Sequence, residues 1–264
     1  MVRNEVLKAG KAVVVLFAAM LNASVAWADT WTDPDTGYTW TYTISNGEAS
    51  MGGGSSDSTA IPTSTRGAIN IPSTLGGYPV TRIGDYAFVH CGVSSVTIPD
   101  SVTSIGAEAF EGCSGLTSVI LPDSVTSIGS GAFNYCSGLT CVTIPNKVTS
   151  IGSWVFANCG GLAGMKIPIN VTSIGNQAFY NCIGLTDLEI PESVMSIGND
   201  AFFGCSGLKD VVVPQCLCTN RISTVFPSFI FANTVSTYVP FLIPVTTPVK
   251  EPISPRLRYA VRDL

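Results

Sequence analysis

The same residues return every 23 positions through the middle of this chain. Prolines stand at Pro99, Pro122, Pro145, Pro168, Pro191 and Pro214. Phe110, Phe133, Phe156, Phe179 and Phe202 keep the same step, as do Cys113, Cys136, Cys159, Cys182 and Cys205. Gly106, Gly129, Gly152, Gly175 and Gly198 follow them. Four residue types held in register over five periods are the signature of a repeat architecture, in which each unit is one small structural turn. An earlier, less regular copy carries Ile83-Gly84, Phe88 and Cys91, with extra residues around Gly76-Gly77-Tyr78-Pro79.

One unit, residues 123–145, reads DSVTSIGSGAFNYCSGLTCVTIP. Alternation along Cys141–Ile144 predicts a strand that turns Val142 and Ile144 inward and Cys141 and Thr143 to solvent. Pro145 ends it, because proline has no N–H to continue a ladder. Val125 and Ile128 supply a second apolar contact before Gly129 turns the chain. Ala132-Phe133 is read as a short helical or 3₁₀ turn, and Cys136 closes the coil. About seven apolar side chains per coil, each worth roughly 1.5–3 kcal/mol when fully buried, cannot be shielded by one coil alone. Stacked coils shield them, which is the logic of a solenoid.

The run VTSIGxxAFxxCxGLTxVxIP, repeated through 80–214, resembles the BspA-like type of leucine-rich repeat found in bacterial and some protist surface proteins. That resemblance implies a leucine-rich repeat solenoid, a β-rich right-handed superhelix with short parallel strands and short helical or 3₁₀ turns. It also implies secreted or surface display, and binding or adhesion rather than catalysis. Six coils fit within residues 73–214.

The flanks read differently. Arg3, Lys8 and Lys11 precede a ten-residue apolar run from Ala12 to Leu21, and Ala26-Trp27-Ala28 follows as a small-x-small pattern. Together these predict a signal peptide over 1–28, cleaved after Ala28. Ten apolar residues are too few for a membrane span, which needs about 20, so no transmembrane segment is expected in the mature chain. Stacked coils leave open apolar ends that need covering. Residues 29–72 are expected to form an N-terminal cap, with a hairpin turning at Ser45-Asn46-Gly47, a GGGSSDST loop over 52–59, and half a coil ending at Ile69, Ile71 and Pro72. Residues 215–264 hold six prolines and are read as a C-terminal cap or an irregular or truncated tail.

Composition removes several function classes. Charged residues are 12% of the chain and the net charge is −5, without a Lys/Arg cluster, so a phosphate-binding stripe for nucleic acid is lacking. A single histidine, His90, leaves little material for His-dependent metal sites or triads. The sequence offers no G-x-S-x-G elbow and no paired acid and base, so the chain is read as non-enzymatic and without cofactor. Of the nine cysteines, six (Cys91 and the five periodic ones) form a ladder along the stack. They are read as small buried thiols in preference to bridges, because a bond between adjacent coils would tilt the regular stack. Zinc is not expected, since a spacing of 23 cannot gather four thiolates around one ion. Cys141 should face outward, and Cys216 and Cys218 form a C-x-C pair beyond the repeats. His90 is read as a solvated turn residue and Asp33–Gly37 as a plain turn. Asn170-Val171-Thr172 is a glycosylation acceptor pattern, meaningful only in a source that glycosylates.

The solvent-facing strand positions carry the functional reading. They are small and neutral in the early coils and become charged later, at Lys166, Asp187, Glu189, Lys209 and Asp210. These are the ligand-binding candidates, since the strand face of a solenoid is its extended binding surface. On another side, Trp154 replaces Gly131, Glu108, Gln177 or Asp200 at a position that should be exposed, with Tyr86, Tyr135 and Tyr180 as further aromatic anchors. The expected function is an extracellular protein-binding or adhesion module, its partner an extracellular protein or glycoprotein. The alternative is a structural, envelope-associated repeat without a specific ligand.

Overall fold

The computed structural model describes residues 28–208, 210–213 and 257–260. The leader apart from Ala28, Lys209, Cys216 and Cys218 lie outside them. The repeats wind as a β-solenoid in which every coil has a long-strand side, a short-strand side and a turn side. On the first, Gly92–Thr97, Ser118–Ile120 and Cys141–Thr143 pair in parallel, with Ser118 beside Cys141 and Val119 beside Val142. Alternation operates as the sequence requires: Val119 and Val142 are buried, whereas Ser118, Ile120, Cys141 and Thr143 are exposed. On the second, two-residue Ser-Ile strands stack, Ser104–Ile105 on Ser127–Ile128 and Ser173–Ile174 between Ser150–Ile151 and Ser196–Ile197.

The turn side corrects one expectation. No helix forms there among the described residues. Each coil makes successive i to i+3 hydrogen bonds, such as Cys113 N–H to the Phe110 carbonyl at 3.2 Å. Left-handed residues interrupt them. Tyr86, Glu108, Gly131, Trp154, Gln177 and Asp200 all have φ between 53° and 65°, and the position four residues later repeats the conformation. A 3₁₀ turn cannot propagate through residues of opposite hand. The freed N–H groups bond across to the next coil instead, as Phe110 to Ala132 at 2.8 Å and Phe133 to Val155 at 2.9 Å.

Inside runs a column of aromatic rings. Phe88, Phe110, Phe133, Phe156, Phe179 and Phe202 are fully buried. Successive centroids are 5.0, 5.3, 5.6, 5.5 and 5.1 Å apart with ring planes within 20° of parallel. Trp40 meets the first ring edge-on at 6.5 Å. It comes from a hairpin of Thr39–Ser45 and Glu48–Met51, whose Asn46-Gly47 turn has φ of 52° and 79°. Positive φ at both residues is the type I′ geometry that matches strand twist. Arg66–Asn70 adds a parallel strand beside Gly92–Thr97. At the other end, Leu257–Ala260 pairs antiparallel with Asp210–Val213.

Beside the phenylalanines stands the thiol ladder. All six ladder cysteines are free and buried. The Sγ of Cys136 donates to the Phe110 carbonyl at 3.1 Å, and Cys113, Cys159, Cys182 and Cys205 donate in the same way to the phenylalanine carbonyl of the preceding coil. Burial pushes the Cys91 thiol up to about 11 and the Cys159 thiol up to about 12. These groups stay neutral and unreactive at physiological pH, because only the thiolate is a nucleophile. Cys141 is the exposed cysteine among the described residues. In a Cys216→Ser, Cys218→Ser background, Ellman's reagent should therefore titrate one thiol per native chain, and the buried six only on unfolding. More than one fast thiol would show that the ladder breathes.

Candidate interaction surfaces

The long-strand side presents two exposed rows. Ile120 is 76% exposed and lies beside Thr143, while Ser118 lies beside Cys141. The rows should continue through Gly164 and Lys166, and here the structure departs from the sequence expectation. Residues 163–166 form no strand; Gly164 keeps a single parallel bridge to Asp187. The sheet stops at Cys141–Thr143 and a second begins at Asp187–Glu189. Gly164 and Met165 replace the Cys141-Val142 type of pair, exchanging a β-branched residue for two of poorer strand propensity. A cleft of about 600 Å³ lies at this break, its walls including Asp123, Cys141, Thr143, Met165, Lys166 and Ile169.

Lys166, Asp187 and Glu189 are all exposed, as expected. The Gly164–Asp187 bridge sets a register in which Lys166 is level with Glu189, and Asp187 is paired with Asp210 on the next strand. The Thr186 hydroxyl donates to Asp187 at 3.0 Å. Lys209 lies outside the described residues, as does the side chain of Asp210. The cleft and the apolar Ile120 beside it were not singled out by residue chemistry; the Gly164-Met165 departure from the repeat was the available signal.

On the turn side, Trp154 is 38% exposed and its ring lies 6.1 Å from that of Tyr180. Tyr180 in turn stacks on Phe203 at 5.2 Å. Tyr135 is more exposed, at 56%, while Tyr86 is half-buried. Trp154 and Tyr180 thus come together, and Phe203 extends the strip.

The turn side also carries a chain of side-chain amides. Asn181 donates to Asn158, Asn158 to Asn134 at 3.2 Å, and Asn134 to the Glu111 carboxylate at 3.1 Å. Beside it, desolvation, a hydrogen bond with Glu111 and the charges of Glu111 and Asp85 push the Glu108 carboxyl up to about 7. A raised native value means that the folded state holds a proton the unfolded chain has released. The associated stability is fully present below about 4.5 and is lost as pH rises through about 7. Melting temperature should therefore fall over that interval, and Glu108→Gln should flatten the fall; equal slopes in the two proteins would contradict this. His90 is exposed, and Asp33–Gly37 is a turn closed by Asp33 accepting from the Asp35 amide at 2.9 Å and the Thr36 hydroxyl at 2.6 Å.

This geometry can be set beside known proteins. No curated protein sequence matches the chain. The leucine-rich repeat protein of T. pallidum is 29% identical over 65% of this chain and 78% of its own, with a TM-score of 0.59. A leucine-rich cell surface protein from Faecalibacterium prausnitzii is 31% identical over 69% of this chain and 54% of its own, at a TM-score of 0.49. A leucine-rich repeat protein from Bacteroides ovatus is 28% identical over 67% and 40%, at 0.48. The family model of the BspA type leucine-rich repeat region matches in six copies over residues 81–209. The 23-residue coils, their parallel strands and this match agree, and the repeat array of this chain belongs to the BspA-type leucine-rich repeats.

Proposed function

We propose that this chain is an exported, non-enzymatic recognition module that binds an extracellular protein or glycoprotein through its long-strand side. The reading is carried by one observation: exposed side chains stand on the long-strand side of successive coils, Ile120 and Thr143 on one sheet and Glu189 on the next, with Lys166 at the break between them. Side chains held on the strands within each sheet lower the ordering cost of binding. The exposed Ile120 at one end offers an apolar anchor, and Lys166 and Glu189 further along offer polar contacts, the two kinds of group that interfaces combine. The BspA-type fold supports a protein-interaction role, and the leader-like pattern of residues 1–28 supports export. Asp210 extends the charged end by register, and Lys209 by sequence.

The test is a surface-binding screen of chain 29–264 against purified extracellular matrix glycoproteins and their deglycosylated forms. The comparison protein carries Ile120, Lys166, Asp187, Glu189, Lys209 and Asp210 replaced by serine. Binding that disappears in the replaced protein supports the proposal. Binding retained there, or lost only on Trp154→Gly, would move recognition to the turn side. A folded protein that binds nothing would favour the structural envelope role.

A further inference from the structure

We infer that the junction between coils 123–145 and 146–168 is a hinge that bends about the turn side and opens or closes the cleft on the long-strand side. The inference goes beyond the recognition reading and does not depend on any ligand. Three sides join each pair of coils, and at this junction two of them are released.

On the short-strand side, Thr103, Thr126, Thr172 and Met195 each donate a backbone N–H to the coil before, as Thr126 to Thr103 at 2.9 Å and Thr172 to Thr149 at 2.8 Å. Thr149 makes no such bond to Thr126. Gly106, Gly129, Gly175 and Gly198 likewise bond backward, and Gly152 does not. The Ser-Ile ladder accordingly ends at Ser127–Ile128 and restarts at Ser150–Ile151. On the long-strand side, Thr117, Thr140 and Thr186 bond backward through their N–H, but Ala163 does not bond to Thr140. Residues 164–166 leave the Cys141–Thr143 edge unpaired. The turn side stays closed, with Gly131 to Ser153, Phe133 to Val155 and Tyr135 to Ala157 at 2.9 to 3.0 Å, and at its end Gly161 donates to the Ser137 carbonyl at 3.0 Å.

The sequence explains the release. Ser101, Ser124 and Ser193 latch their coils by donating to Val80, Val102 and Val171 of the preceding coil at 2.5 to 2.7 Å. Lys147 occupies that position here and has no hydroxyl to donate. Thr117, Thr140 and Thr186 add a hydroxyl bond to the preceding coil, and Ala163 replaces that threonine. The next junction also lacks the serine, yet there Asn170 donates to the Asn146 carbonyl at 2.8 Å and the backbone bonds persist. Both missing latches fall on one junction, and the cleft between 141–146 and 164–169 opens at the same place. A joint held on one side and free on two is the geometry of hinge bending, with packed segments moving as bodies on either side.

Paired spin labels test this in the full chain with Cys141, Cys216 and Cys218 changed to serine. One pair, at Thr103 and Thr172, spans the junction; a control pair at Glu48 and Thr126 spans the same number of coils without it. All four sites are exposed. A broad distance distribution across the junction, beside a narrow control, is expected. Lys147→Ser with Ala163→Thr restores both latches and should shift the junction pair to shorter distances and remove its excess width. A junction pair as narrow as the control, or one unmoved by the latch-restoring variant, would overturn the hinge.

Discussion

Replacing Phe133 by alanine should cost about 3–5 kcal/mol and split thermal unfolding into two transitions. The magnitude follows from a fully buried ring that stacks on both neighbours, Phe110 at 5.3 Å and Phe156 at 5.6 Å. Truncation leaves a cavity in a column whose backbone is pinned on the turn side, so collapse cannot fill it. The splitting follows from the one-dimensional character of a solenoid, where each coil contacts only its neighbours and cooperativity passes through their interfaces. The step from Phe133 to Phe156 lies at the junction that lacks both strand ladders. Weakening it further should uncouple residues before 145 from those after it. Calorimetry on Phe133→Ala and on Phe110→Ala separates this from a general loss of stability. Phe110 sits within a fully laddered junction, so its truncation should lower the melting temperature without splitting the transition. Identical single transitions in both variants would show that coupling crosses the junction undiminished.

Most of the fold was legible because the repeat writes the same constraint many times. The period of 23 gave the coil. The alternation at Cys141–Ile144 gave the long strand and its inward residues. The invariable place of Cys136 and its equivalents pointed to small buried thiols, and Asn46-Gly47 to the hairpin. What escaped the sequence reading were features of backbone handedness and of the exceptions. The turn residues read as a helical segment because nothing in Ala132-Phe133 signals the left-handed residues at Gly131 and Tyr135, with φ of 65° and 57°. Only the spread of Gly, Asn and Asp over those positions carried that information. The candidate surface was legible at Lys166, Asp187 and Glu189, whose exposure follows from alternation. The break beside Lys166 was not, since it depends on two side chains that are absent, the hydroxyls missing at Lys147 and Ala163. A repeat is read most easily where it is regular, whereas the cleft arises where it is not.

Gly129→Ala and Gly152→Ala occupy equivalent repeat positions and should behave oppositely. Neither glycine has a positive φ, so backbone conformation does not require either. The requirement is close approach between coils. A Cβ on Gly129 would overlap the Ala107 amide nitrogen and come within 2.5 Å of the Gly106 carbonyl carbon. Gly175 is similar, its added carbon 2.6 Å from Gly152. Backbone held by ladders on every side cannot yield as a side chain would, so Gly129→Ala must open the stack. Overpacking of this kind costs about 3 kcal/mol or more, which is roughly 6–12 °C in melting temperature for a domain of this size. At Gly152 the nearest atoms to an added Cβ are Val155 Cγ2 at 3.5 Å and the Ile128 carbonyl at 3.7 Å, ordinary contact distances. Gly152→Ala should therefore leave the melting temperature unchanged or raise it slightly, since alanine also reduces the entropy of the unfolded chain. Lys147→Ser with Ala163→Thr should reverse that tolerance, because drawing the two coils into regular register places Gly152 against the preceding coil as Gly129 is now. Differential scanning calorimetry on the two alanine variants, with and without the restored latches, reads all three outcomes. If Gly152→Ala destabilises the chain as much as Gly129→Ala, the coils at this junction are packed as tightly as elsewhere and the open ladders do not represent a real separation.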